Sequence, residues 1–297
     1  MQHIGEITAL MTAIFWTIMA VFFETAGKRV GSLAVNFIRL VTGFIMLSIF
    51  VYFRRGYLLP TDATLHNWTW LGISGLVGFF FADLFLFQAY VEIGTRITML
   101  ILASGPPITA ILGYLVLGER LSLAGIVGML ITVGGIAIVI LSKDSDDKKL
   151  KVNHPLKGII FSLLGAIGNS VGMIFTKIGI GDYSPFAATQ IRIITGFIGF
   201  LILFACTNRW EDLKKAVLDK KAITFIALGS IFGPFLGVSF QLMSLQYTTA
   251  GISSTITSIM PVTILPFSVL IFKEKLTIKE VLGALISVIG IAILFLI

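Results

Sequence analysis

The chain has 297 residues, of which 57% are hydrophobic and 12% charged, with a mean hydropathy of +1.00. A soluble domain carries about 25% charged residues, so this composition excludes an ordinary water-soluble fold. The formal charge of +7 lies mostly in polar segments flanking apolar runs, which reads as anchoring at a membrane surface and not as a nucleic-acid interface.

Ten apolar runs follow in chain order: 4–25, 33–53, 68–91, 96–117, 122–142, 156–177, 186–206, 222–246, 250–272 and 277–297. Each is near the ~20 residues needed to cross ~30 Å of hydrocarbon. Lipid offers no partner to a free backbone group, so helices are expected. The alternation of a β-barrel is absent. The first run lacks a basic leader and a small-residue cleavage site, so it is expected to be a retained helix and not a signal peptide. The longest polar connection, Lys143 to Lys151, carries both signs of charge and reads as a solvated linker.

Two stretches nearly repeat each other. Phe37-Ile38-Arg39-Leu40-Val41-Thr42-Gly43-Phe44 returns as Gln190-Ile191-Arg192-Ile193-Ile194-Thr195-Gly196-Phe197, an offset of 153 residues. Pro106 and Gly118-Glu119-Arg120-Leu121 return, 155 residues on, as Pro261 and Lys273-Glu274-Lys275-Leu276. The chain therefore divides into two five-helix units, residues 1–142 and 156–297, joined by linker 143–155. Five is odd, so the second unit starts on the opposite side of the membrane. The expected fold is all-α, with ten transmembrane helices in two inverted five-helix repeats and a polar cavity between them near the midplane. Connections after the odd-numbered spans carry 16 Lys/Arg, against four at the termini and the even-numbered connections. The positive-inside rule then places both termini outside.

Ionisable residues inside spans cost ~2.5–3.5 kcal/mol each and need a reason. Arg39 lies ~9 Å deep and Asp83 ~12 Å deep from the side bearing the odd connections, at 1.5 Å per residue. Glu24 is shallower on that side. We expect Arg39 to pair with Asp83, with Glu24 as a rival; the alternative is that Arg39 snorkels to the interface. Asp83 and then Glu24 are the candidates for proton coupling, because a desolvated carboxylate takes up protons more readily. In the second half Arg192 matches Arg39, but Val238 or its neighbour Gly237 stands where Asp83 would and Lys177 where Glu24 would. Arg192 is thus left with only polar neighbours to expect, among them Asn169, Gln190 and Gln241. An arginine unpaired before a cavity attracts anionic or carboxylate-bearing solutes; the alternative is a helix-end arginine that reaches water.

Other cavity-lining candidates are Trp16, which aligns with Asn169, and Gln241 with Ser244 on one helical face. Asp83, Phe87 and Tyr90 share another face; Gln88 lies off it but is retained as a lining candidate. Pro106, Pro107, Pro261 and Pro266 should break helix bonds within spans. The glycines spaced seven apart in spans 5 and 10 (Gly128 and Gly135, Gly283 and Gly290) read as a packing seam, for scaffold or homodimer contacts. The chain carries no nucleotide-binding GxxxxGK[ST] run, and no HExxH, CxxC or GxSxG. Cys206 stands alone and the three histidines are scattered, so no metal site, cofactor or enzymatic centre is expected.

These residues resemble the drug/metabolite transporter superfamily, in its EamA-type ten-span branch. The matching pieces are Trp16, the Arg39 segment, Phe81-Ala82-Asp83-Leu84-Phe85-Leu86-Phe87-Gln88-Ala89, Ile93-Gly94-Thr95-Arg96, Pro106 and Leu117-Gly118-Glu119-Arg120-Leu121. In the second half they are Gly233-Pro234-Phe235-Leu236-Gly237, Tyr247-Thr248-Thr249-Ala250-Gly251, Pro261 and Phe272-Lys273-Glu274-Lys275-Leu276. The resemblance implies inverted repeats, a cavity lined by spans 1–4 and 6–9, and alternating access. It also implies secondary transport, usually export, of small metabolites such as amino acids across a prokaryotic plasma membrane. It implies cytoplasmic termini too, the reverse of the charge count.

Overall fold

A single glycine separates the first two helices. Helix α1 (Ile4–Val30) ends at Gly31, whose φ of 82° an L side chain would not accept, and α2 (Ser32–Arg55) begins at once. The computed structural model describes residues 3–102, 104–142, 155–263 and 277–295, and every regular element among them is helical. A capping box at Thr64 and Asn67 starts α3 (Leu65–Gly75), which runs through a π-helical turn (Leu76–Ala82) into α4 (Asp83–Leu102). Next come α5 (Gly105–Leu112), closed by a π-helical turn (Gly113–Leu117), and α6 (Leu123–Ser142). The second half holds α7 (Pro155–Ile180), α8 (Pro185–Thr207), α9 (Trp210–Leu218) and α10 (Lys220–Ser230). A π-helical turn (Ile231–Gly237) then leads into α11 (Val238–Tyr247), followed by α12 (Ala250–Thr257) and α13 (Ile278–Phe295).

Seven of these helical stretches are long and apolar enough to cross a membrane, and two shorter apolar ones cover Gly105–Leu117 and Leu123–Val139. Large apolar side chains stay exposed on their outer faces, Phe53 at 81% and Leu130 at 59% among them. Such surface suits acyl chains and would drive aggregation in water. The protein is a multi-pass, all-helical membrane protein. Most of linker 143–155 and the second half of the expected ninth span, with Pro266, lie outside the described residues.

The expected break between spans 3 and 4, near 92–95, is not a helix end, since α4 is helical to Leu102. The chain nevertheless turns back. Ile93 lies against Gly158, while Gly105 accepts a hydrogen bond from Ser170. Those two levels are ~18 Å apart along α7 at 1.5 Å per residue. The proline breaks fall as chemistry requires: α5 starts beside Pro106, and α12 stops at Thr257, with a turn before Pro261.

Packing pairs elements from opposite halves. α1 runs antiparallel to α10–α11, with Phe23 at Gly229, Met19 at Gly233 and Trp16 at Gly237. α3–α4 runs antiparallel to α7, with Leu71 at Gly179, Gly78 at Gly172 and Ala82 at Gly168. α2 meets α8 through Phe37 and Phe197, ring centroids 4.8 Å apart. α5 meets α12 through Thr109 and Ser254. Individual contacts recur at the sequence offset. Gly43 packs on Pro234 and Gly196 on Phe79. Gly75 lies so close to the Arg192 carbonyl and Thr195 hydroxyl that a Cβ would sit within 2.3 Å of both. Its counterpart Ser230 bonds the Arg39 carbonyl at 3.4 Å and the Thr42 hydroxyl at 2.6 Å.

The glycine seam of α6 and α13 is filled within the chain: Gly128 faces Gly290, Gly135 faces Gly283, and the Ser287 hydroxyl donates to the Thr132 carbonyl. A second copy would therefore meet only the outer faces of these helices.

Helix α9 was not expected from the sequence, where residues 207–221 read as a polar connection. It buries Ala216 against the Phe23, Ile38 and Ile226 cluster and leaves Glu211 and Lys214 paired in solvent at 2.8 Å. Asp219 then caps α10, accepting from the Lys221 and Ala222 amides at 3.1 and 3.0 Å, and pairs with Arg29 at 2.8 Å. The Ala222 amide, with Arg29 second, holds the Asp219 carboxyl below its ordinary range.

Candidate functional site

The π-helical turns at Leu76–Ala82 and Ile231–Gly237 stand 155 residues apart and face one cavity of about 980 Å³. A π turn inserts a residue into the helical ladder and is frequent at functional sites. In the second turn Pro234 also removes an amide donor. The cavity reaches from Trp16, Gln241 and Met260 to the α1–α2 junction at Gly31 and to Arg209 and Asp212 at the start of α9. Its mouth is therefore on the side of the odd connections.

Arg39 and Asp83 form an ion pair in the cavity wall, with side-chain exposures of 5% and 14%. The Arg39 Nε–H donates to Asn36 Oδ1 at 2.8 Å, one helical turn back. Three rings surround its guanidinium, with centroids at 5.9 Å (Phe23), 5.7 Å (Phe79) and 5.2 Å (Phe87). Arg39 is thus charge-paired, hydrogen-bonded and stacked, and it does not snorkel.

Arg192 is equally buried, at 5% exposure, and its guanidinium lies over the same Phe79 ring at 5.0 Å. Among the described residues it has no carboxylate within ion-pair reach, and its Nε–H has no acceptor. Gly78 faces its terminal nitrogen, and a Cβ there would sit at 2.9 Å from it. Two arginines related by the sequence repeat therefore meet over one phenyl ring, with one carboxylate between them.

Of the residues singled out from sequence, Trp16, Arg39, Asp83 and Phe87 line the cavity. Gln88, Asn169, Arg192 and Gln241 do so as well. Gln88, off the helical face that carries Asp83, also donates to Glu92 at 3.0 Å. Gln190 is placed elsewhere: it is fully buried and donates to the Ser48 hydroxyl at 3.0 Å and the Leu58 carbonyl at 2.9 Å, tying α8 to the far end of α2. Ser244 also lies off the cavity and donates to the Ser253 hydroxyl at 2.9 Å. The side chains of Glu24 and Tyr90 are outside the described set. Sequence reasoning passed over Asn36, Phe23, Phe79 and Met260. Asn36, a lone amide three residues before Arg39 in an apolar run, carried a usable signal; the aromatic and Met positions did not.

The opposite side is bridged by an ion pair and hydrogen bonds. Lys177, expected only as the misfit counterpart of Glu24, pairs with Glu119 at 2.7 Å and donates to the Thr248 carbonyl. Glu119 Oε2 also accepts from the Ala250 amide at 2.9 Å, holding the start of α12. Gln246 bonds the Gly181 and Tyr183 carbonyls at 2.6 and 2.9 Å.

Residues 3–141 match the EamA-like transporter family, and residues 156–296 match it again. The chain belongs to the EamA-like transporter family. Among its relatives is an uncharacterized transporter of Clostridium kluyveri, 30% identical over 47% of this chain and 44% of that protein. Another, from Synechocystis sp., is 24% identical over 86% of this chain and 78% of the relative. The uncharacterized transporter YetK of Bacillus subtilis is 25% identical over 68% of this chain and 62% of its own length. The chain thus spans less than half the length of the Clostridium kluyveri relative and most of that from Synechocystis. A solved crystal structure of a protein, 14% identical, matches 100% of this transporter-family chain and 98% of its own with a TM-score of 0.76, a likeness of fold.

Proposed function

We propose that the chain is a secondary active transporter, an exporter of small organic metabolites such as amino acids in a prokaryotic plasma membrane. It works by alternating access between two inverted five-helix repeats, residues 1–142 and 156–297, which supply ten spans. The observation that carries this reading is the 980 Å³ cavity between the halves, largely apolar but holding Arg39, Asp83 and Arg192 in its wall, which reaches one side while Lys177 and Glu119 bridge the other. Contacts that recur at 153–155 residues, such as Gly43 on Pro234 and Gly196 on Phe79, support the inverted repeat. Exchange of equivalent contacts between the halves would open the closed side and seal the mouth. A homodimer would form through the outer faces of α6 and α13.

Asp83 is the coupling residue, with Glu24 the second candidate. Ionised, Asp83 is held by Arg39. A proton entering through the cavity would neutralise it, release Arg39 and leave two positive guanidinium groups facing the cargo. The same ion pair favours a second reading, an uncoupled facilitator or exchanger, in which Asp83 stays bound to Arg39 as a fixed joint between α2 and α4. Proteoliposome flux of a labelled mixture of amino acids and small monocarboxylates under an imposed pH gradient separates the two. Coupling predicts gradient-dependent flux that becomes gradient-independent in Asp83→Asn. Wild-type flux indifferent to the gradient would replace the exporter with the facilitator, and no flux at all would contradict both.

A further inference from the structure

The two cavity arginines differ in what already occupies them, and the difference describes a ligand. Arg39 has its carboxylate and its amide. Arg192 has neither among the described residues; its Nε–H is an unmet donor on a side chain only 5% exposed. A buried charge without a partner is expensive unless something supplies the counter-charge. Gly78 and Phe79 fix the guanidinium from one helix: Phe79 lies under its plane, and the missing Cβ at residue 78 leaves room for its tip.

We propose that Arg192 is the anchoring subsite for a single carboxylate on an otherwise apolar or aromatic cargo. The proposal rests on the transporter reading above. With Asp83 ionised and paired to Arg39, the described side chains Arg39, Asp83 and Arg192 carry one excess positive charge at this level. A monoanion cancels it; a dianion would leave a net negative charge away from water. A cationic amine has no place to sit, because Asp83 is committed to Arg39 and the rings of Phe23, Phe79 and Phe87 already stack on guanidinium groups. The carboxamides of Asn169 and Gln241 make no hydrogen bond to a described residue, so they are available to a carboxylate oxygen or another polar group of the cargo. Trp16, Met19 and Met260 supply apolar surface for its body. Selection by Arg192 thus demands a carboxylate and not an α-ammonium group, so amino acids are not the preferred class.

The test uses the full chain in lipid nanodiscs and four probes with a phenyl body: 3-phenylpropanoate (monoanion), phenylsuccinate (dianion), phenylalanine (zwitterion) and phenethylamine (cation). Binding is read by titration calorimetry and thermal shift. 3-Phenylpropanoate should bind tightest, and Arg192→Gln should weaken it by about ten- to a hundredfold, the worth of a charge-assisted hydrogen bond to a buried group. Arg192→Lys should recover part of the loss. Gly78→Ala keeps the charge but displaces the guanidinium tip, and should weaken binding with little change in the unliganded melting point; it serves if Arg192→Gln fails to fold. Unchanged affinity in both Arg192→Gln and Gly78→Ala would overturn the subsite. Equal or tighter binding of phenethylamine or phenylalanine would do so too, as would failure of all four probes to bind. Proteoliposome flux keeps the two readings apart. Flux of phenylalanine that survives Arg192→Gln removes the subsite and leaves a transporter. Arg192-dependent binding of 3-phenylpropanoate without flux of any probe leaves the subsite and removes transport.

Discussion

Arg39 and Arg192 occupy equivalent positions in a duplicated sequence and meet the same ring, yet one is fully employed and the other is not. The cause lies in two neighbouring substitutions. Asn36 and Asp83, which hold Arg39, have Thr189 and Val238 as their counterparts in the second half. Each half of the chain holds a buried arginine. The counter-charge makes Arg39 a joint between α2 and α4, and its absence among the described residues leaves Arg192 open to the cavity. Similar sequence can therefore carry different chemistry, because a single side chain decides whether a buried charge is satisfied.

The contrast has measurable consequences for stability. Removing one member of a buried, hydrogen-bonded pair strands its partner, at about 3–5 kcal/mol. Asp83→Ala should therefore lower the unfolding free energy by about that amount, whereas Arg192→Ala, which strands nothing, should change it by well under 1 kcal/mol or raise it. Chemical unfolding in detergent checks this. Equal losses in the two variants would erase the distinction between the arginines.

A smaller effect is expected at the closed side. The pair of Lys177 and Glu119 is half-buried, so Glu119→Gln should shift the balance of open and closed forms by about 1 kcal/mol, roughly fivefold. In a Cys206→Ser background, labelling of a cysteine introduced at Gln241, which lines the cavity, should accelerate by a similar factor from the side bearing the termini. An unchanged rate would mean that the closure does not depend on this pair.

The smallest effect belongs to the α9–α10 corner. The Asp219 carboxyl is held below its ordinary range by the Ala222 amide and Arg29. Its folded value is the lower one, so its contribution is complete above the ordinary carboxylate value of ~3.9 and is lost as pH falls through the folded value. Asp219→Asn should remove that part of the acid sensitivity, seen as melting points that differ from wild type near neutrality and converge in acid. Parallel curves at all pH values would refute it.

Much of the architecture was legible because lipid imposes it: apolar runs of ~20 residues have few alternatives to helices. The Arg39–Asp83 pair was legible from depth alone, since both residues could be counted inward from one side. Gln190 was misplaced for a reason also present in the sequence. Residues two apart on a helix point nearly opposite ways, so Gln190 could not share a cavity with Arg192. The π-helical turns were not legible at Leu76–Ala82, where nothing in Val77-Gly78-Phe79 marks an inserted residue; Pro234 in the second turn was the only local sign. Helix α9 was hidden because its charged face resembles a solvated linker, while the side chains that seat it, Leu213 and Ala216, acquire their meaning from α1, α2 and α10.

The most direct test is to give Arg192 the carboxylate it lacks. Val238 lines the cavity at the position equivalent to Asp83. In Val238→Asp the new side chain should pair with Arg192, and affinity for 3-phenylpropanoate should fall by about tenfold or more while the protein remains folded. Binding as tight as that of the wild type in a folded Val238→Asp protein would contradict the account, because Arg192 would then not be what the ligand reaches.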